Sequence, residues 1–250
     1  MKQFLIAALT AFAVLAAPAG AGEMDRMTAD ERAAFRAEVR AYLLENPEVI
    51  MEAVAVLEAR RAEAQAATDM ALIGENAQAL FNDGQSWVGG NPDGDITLVE
   101  FMDYRCSYCR RAFDEVVELV ESDGNIRFVI KELPVLGEQS VAASRFAIAT
   151  QRVAGDAAYK AIHAALMSYD GDMSEVGFSR LARSMGLDAQ PILDQMNDPE
   201  VSALIDANFK LAQKMGISGT PSFVMGGQLL RGYMPLEQMR AAVDKERAGG

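Results

Sequence analysis

The stretch "EFMDYRCSYCRRAF" (Glu100–Phe113) holds both cysteines of a 250-residue chain, three positions apart. Upstream, "ITLVEFMD" (Ile96–Asp103) is short and mostly apolar, which predicts a strand buried on both faces. Downstream, "YCRRAFDEVVELVES" (Tyr108–Ser122) has the spacing of an amphipathic helix, with a stop near Asp123-Gly124. "NIRFVIKEL" (Asn125–Leu133) predicts a second strand. A strand–helix–strand unit in a parallel sheet crosses over right-handed. The two thiols therefore fall where a strand ends and a helix begins.

That placement has a chemical reading. The nucleophile in thiol–disulfide exchange is a thiolate. The N–H groups and positive dipole end at a helix N-terminus stabilise such an anion. Cys106 is placed there, facing solvent. Cys109 lies one turn later on the same face, within reach to close a disulfide. Cys106 is thus the attacking sulfur and Cys109 the resolving one. Arg105, Arg110 and Arg111 stand against a single acid, Asp103, and this local excess of positive charge favours a thiolate or is simply a solvated helix surface. A closed zinc site wants four ligands, and two cysteines with one histidine do not supply them within one chain. Copper(I) held between thiolates of neighbouring subunits is an alternative that soft sulfur ligands allow. A purely structural disulfide across so short a loop contributes little to a domain with its own core. No metal site and no organic cofactor is expected.

Residues 138–215 read as helices, punctuated at Gly155, Asp170-Gly171, Gly186 and Pro191. The segment after them predicts a loop, a strand at Ser222–Met225, a Gly226-Gly227 turn, a strand at Gln228–Gly232 and a closing helix from Pro235. The order strand, helix, strand, helical insert, hairpin, helix fits a two-layer α/β domain of thioredoxin type over residues 82–250. In such a domain the loop "GTP" (Gly219–Pro221) faces the C-x-x-C. A cis Pro221 there leaves the Thr220 backbone available to pair with an extended substrate. His163, the one histidine, reads as a surface or satisfied core residue of the insert. The 14 methionines read as core filler, with Met102, Met225 and Met234 as candidates to line an apolar substrate groove.

The N-terminus, "MKQFLIAALTAFAVLAAPAGAGEM", has a basic start, an apolar run and small residues at Ala19-Gly20-Ala21. This is the layout of a cleavable export signal over residues 1–21. In a bacterium it implies the periplasm, an oxidising space where a thiol pair can cycle. Residues 22–81 predict a helical arm. It opens with a capping box at Thr28 and Glu31, is broken at Pro47, and carries a thin apolar stripe from Phe35, Val39, Tyr42 and Leu43 to Ile50, Met51, Val54 and Leu57. Such a stripe outside a compact domain predicts self-association. The net charge of −13 disfavours nucleic acid and anionic lipid as partners.

Taken together, "GNPDGDITLVEFMDYRCSYCRRAF" and "SGTPSFVMGGQLLRGY" resemble the DsbA-like family of periplasmic thiol–disulfide oxidoreductases over about residues 85–247. "RAYLLENPEVIMEAVAVLEARR" resembles the oligomerisation arm of one branch, the suppressor-of-copper-sensitivity C proteins. The resemblance implies an oligomer acting on protein disulfides as an isomerase, with a membrane redox partner. It also implies that Glu100 takes or gives a proton during exchange, with Lys131 as its charge partner. A carboxylate buried under the thiols would have a raised pKa suited to serving Cys109. Thr220 and Pro221 complete the implied catalytic set. One departure is Ser107-Tyr108 between the cysteines, where strongly oxidising members carry histidine. Without an imidazolium the thiolate is stabilised less, which implies a milder couple, isomerase or reductase rather than dithiol oxidase.

Overall fold

The computed structural model describes residues 27–249. The export signal expected over residues 1–21, and the first residues of the expected arm, lie outside the described residues. The described residues divide into two compact units, one up to Arg60 and one from Arg61.

In the first unit, α1 (Ala29–Glu45) opens with the expected capping box. The Thr28 hydroxyl accepts from the Glu31 N–H, and the Glu31 carboxylate accepts from the Thr28 N–H at 2.8 Å. Asn46 and Pro47 separate α1 from α2 (Glu48–Glu75). No residue of α1 is buried, and Phe35, Val39 and Tyr42 stand exposed. Among the described residues no helix is long and apolar enough to cross a membrane.

The second unit is built on a five-stranded sheet. Its strands are β1 (Val88–Gly90), β2 (Ile96–Met102), β3 (Ile126–Glu132), β4 (Ser222–Met225) and β5 (Gln228–Arg231), in the spatial order β1-β3-β2-β4-β5. β2 and β3 pair in parallel, joined by α4 (Ser107–Asp123), and the other pairings are antiparallel. Alternation along β2 sorts the side chains between two layers. Ile96, Leu98 and Met102 face α4 and the insert helices. Val99 and Phe101 face the other way, onto Ile73 of α2, Leu80 of α3 (Ala77–Phe81) and Leu211 of α9 (Pro199–Lys214). The insert comprises α5 (Glu138–Ala154), α6 (Asp156–Met167), α7 (Glu175–Ser184), α8 (Ala189–Gln195) and α9, and α10 (Leu236–Arg247) closes the chain.

The core of the second unit also takes in Ile73 and Leu80, and Asp69 holds Arg231 of β5 through two 2.8 Å bonds. Two expectations need adjustment. β1 is not among the strands expected from the sequence; three residues are too few to show a period, and Trp87 beside it anchors the strand by burial. Met102 and Met225 do not line a groove. Both face the α4 side of the sheet and are fully buried, while Met234 is half-buried.

Candidate active site

The loop leading to α4 is shaped by Asp103. Its carboxylate accepts from the Arg105 N–H at 2.7 Å, an Asx turn, and from Ser140 Oγ at 2.8 Å and the Leu136 N–H at 3.0 Å. The Cys106 N–H then donates to the Asp103 carbonyl, and Cys106 takes the N-cap position of α4 with extended backbone. Cys106 does not face solvent as expected: it is only 7% exposed, and Cys109, one turn along, is fully buried; both are free thiols.

The sulfurs differ sharply in acidity. The Cys109 thiol donates to the Cys106 sulfur. With the Thr220 side chain and the N–H groups of Cys109 and Tyr108, it lowers the Cys106 thiol to about 5 against the opposing effect of burial. The same hydrogen bond, burial and the nearby Glu100 carboxyl raise Cys109. In its protonated form Cys106 donates to the Thr220 carbonyl at 3.1 Å, a contact that favours the thiol and opposes the other donors. The Thr220–Pro221 peptide is cis, as expected from the sequence.

The arginines do not make the thiolate. Arg110 donates to the Tyr104 carbonyl at 2.8 Å and pairs with Asp170 at 2.9 Å, Arg105 binds Gln139, and Arg111 lies 4.6 Å over the Tyr233 ring. Tyr233 lies 6.2 Å from the exposed Tyr108, so an aromatic patch flanks the thiols.

Beneath the thiols, Glu100 is 2% exposed, and its Oε1 has no hydrogen-bond partner among the described residues. Burial first, then the charges of Cys106 and Glu132, push its carboxyl up to about 8. The expected Glu100–Lys131 pair does not form. Glu100 lies opposite Ile130 in the parallel register, so Lys131, one residue on, points to the other face of the sheet. There its ammonium donates to Asp83 and to the Ala79 carbonyl, each at 2.7 Å.

The charged residue sharing the face of Glu100 is Glu132, which sequence reasoning took only as the end of a strand. It accepts from Tyr104 at 2.8 Å, Tyr159 at 2.6 Å and Ser144 at 2.8 Å. Burial raises it to about 7 despite those donors. His163 joins the cluster 3.0 Å from the Tyr104 hydroxyl, and burial lowers it to about 3, so its ring is neutral.

A dithiol at the mouth of a βαβ unit, facing a cis-proline loop, defines a thioredoxin-type thiol–disulfide protein. Residues 82–245 match the thioredoxin family, and residues 31–64 match the copper resistance protein ScsC N-terminal domain. A thioredoxin-like oxidoreductase from Silicibacter pomeroyi is 46% identical, with a TM-score of 0.64 over 68% of this chain and 97% of that one. A linker-deletion mutant of Proteus mirabilis ScsC is 26% identical with a TM-score of 0.68 over 90% and 98% of the two chains. A periplasmic thioredoxin-like protein from Salmonella enterica serovar Typhimurium is 30% identical with a TM-score of 0.63 over 69% and 95%. Among curated proteins the chain is 29% identical over 163 residues to Na(+)/H(+) antiporter NhaA 1 of Salinispora arenicola. That match takes in 65% of this chain and 25% of the antiporter, so the chain spans about a quarter of that relative. The chain belongs to the thioredoxin family, and its relatives there are ScsC and DsbA-like thiol–disulfide proteins.

Proposed function

We propose that this protein exchanges its Cys106–Cys109 pair with disulfides of other proteins, acting as an isomerase or reductase rather than a dithiol oxidase. The observation that carries this reading is the division between an acidic Cys106 at the helix start and a buried, proton-holding Cys109 behind it. The Cys106 thiolate attacks one sulfur of a substrate disulfide, forming a mixed disulfide and expelling the other substrate sulfur as a thiolate. In isomerisation that thiolate, or another, attacks a different sulfur until Cys106 is released unchanged. In reduction Cys106 is bound in the mixed disulfide, so its charge no longer raises Glu100, and the ionised form of Glu100 takes the Cys109 proton as Cys109 attacks Cys106. The substrate leaves with two thiols, and Cys106 and Cys109 are left as a disulfide. Thr220 and Pro221 hold the substrate backbone beside Cys106 by strand addition. A redox partner at the membrane then returns the pair to its dithiol form.

The acidity of Cys106 supports that direction. A thiol at about 5 lies between the ~3.5 of a strongly oxidising dithiol and the ~7 of a reductant. The absence of a histidine between the cysteines agrees with this. The bare stripe of α1 supports self-association through the arm, and the export signal supports the periplasm, the compartment of the Salmonella relative. Alkylation of Cys106 by iodoacetamide against pH tests the central reading, with a midpoint near 5 expected. A midpoint where free cysteine titrates, about 8.5, would overturn it. Trapping the resting protein with free thiols supports isomerase or reductase, and finding it fully oxidised rejects them. Val39→Glu with Tyr42→Glu should lower the native mass to that of a monomer, and an unchanged sedimentation mass would remove the arm from the assembly.

A further inference from the structure

Away from the thiol mouth, α4 and α6 part over the sheet to form a cleft of about 610 Å³. Its walls are Trp87, Phe113, Val116, Val120 and Phe128. The Glu100 side chain lines it too. At the rim Lys160 and Glu121, both well exposed, pair at 3.5 Å. Volume and lining match those of small-molecule sites, which run to about 300–1,000 Å³ with apolar walls and few polar groups. A buried carboxyl with few partners is costly, and one whose side chain lines such a cleft can be met by a ligand's polar end.

We propose that this cleft binds a small uncharged molecule with an apolar, ring-sized body and one hydroxyl head, the hydroxyl meeting Glu100. The interior is electrically neutral. His163 is held uncharged by burial, and Glu100 favours its acid form at neutral pH. A carboxylic acid both donates and accepts, and so does a hydroxyl. The charged groups at the rim compensate one another. The proposal shares Glu100 with the exchange reaction but is read on a different side chain, so the two succeed or fail separately.

That side chain is Trp87, the one tryptophan of the sequence. It lies in the cleft wall, with its indole N–H donating to the Asp156 carbonyl at 3.1 Å. Titrating 4-propylphenol into the full-length protein should change Trp87 emission saturably. Propylbenzene, the same body without the hydroxyl, should bind about tenfold more weakly. Glu100→Leu should erase that difference. Val117→Phe from α4 and Ala164→Leu from α6 fill the cleft from opposite walls. Each should abolish the emission change while Cys106 alkylation keeps its rate, which shows that the variant is folded. No saturable change, or one that neither wall variant reduces, overturns the proposal and leaves the cleft to solvent. Equal binding of the two probes to the unmodified protein overturns the role of Glu100.

Discussion

Glu100 and Glu132 are two buried carboxyls on one face of adjacent strands, and they are supported in opposite ways. Glu132 is surrounded by three hydroxyl donors, whereas Glu100 has an oxygen with none. Both are pushed up by burial, to about 7 and about 8. The contrast separates two uses of a buried acid. A fully bonded carboxyl ties elements together, here the β2–α4 loop through Tyr104 and the insert through Ser144 and Tyr159. A carboxyl left open keeps its proton exchangeable beside Cys109, which suits proton transfer better than support. Lys131, on the reverse face, sides with Glu132, since its donors reach Asp83 and the Ala79 carbonyl.

The contrast is breakable. The largest loss of stability should come from Glu132→Leu, which orphans the buried Tyr159 and Ser144 hydroxyls and leaves Tyr104 only His163, and should cost about 3 kcal/mol. Urea unfolding measures it, and a loss under about 1 kcal/mol would show that the cluster holds little together. Glu100→Gln should do the reverse. It should slow closure of the Cys106–Cys109 disulfide about a hundredfold while making the fold more stable by about 4 kcal/mol at pH 8. The sign follows from the shift. A carboxyl whose folded pKa is raised to about 8 supports folding fully below its unfolded value near 4.5, and that support is lost as pH rises through 8. Glutamine does not titrate, so the gain should fade toward pH 4, and a gain constant across that window would mean Glu100 is not the titrating group. Lys131→Met should cost about 2 kcal/mol, because Asp83 is partly open to solvent and is left incompletely stranded. It should leave the pH profile of exchange in place, and a shifted profile would return Lys131 to the role of charge partner. The smallest effect should be Tyr159→Phe, about 1 kcal/mol, with a downward shift in stability and none in exchange rate.

What the sequence discloses about this site is what is written locally. The C-x-x-C, the helix start behind it, the Gly226-Gly227 hairpin and the Thr220-Pro221 loop are each contiguous, and each lies where its residues predict. The burial of Glu100 was legible from the apolar strand around it, while its role came from the family resemblance. Its pairing with Lys131 was not, because that depends on register between strands. Counting along one strand does not say which face the neighbour's next residue takes, and a single step reverses it. Glu132 escaped notice for a related reason. Its donors come from the β2–α4 loop, α5 and α6, three segments that only the folded insert brings together. A dipeptide signal did exist for Asp103, an acid two residues before Arg105 at a strand end, which is an Asx-turn placement. The sequence reading starts the domain at Asn82, whereas the core reaches back to Ile73 through a helix whose composition scarcely changes along its length.

That last point decides where the molecule can be divided. β5 is the outer strand of its sheet, and an uncovered outer strand invites pairing with another chain. The segment from Arg61 to Phe81 supplies Asp69 to Arg231 on that strand, Ile73 and Leu80 to the core, and a carbonyl to the Lys131 ammonium. Cleavage after Arg60 should therefore leave a soluble fragment with its thiols intact. Removal up to Phe81, the tidier cut on paper, should yield a sticky one whose clumping could be mistaken for native assembly.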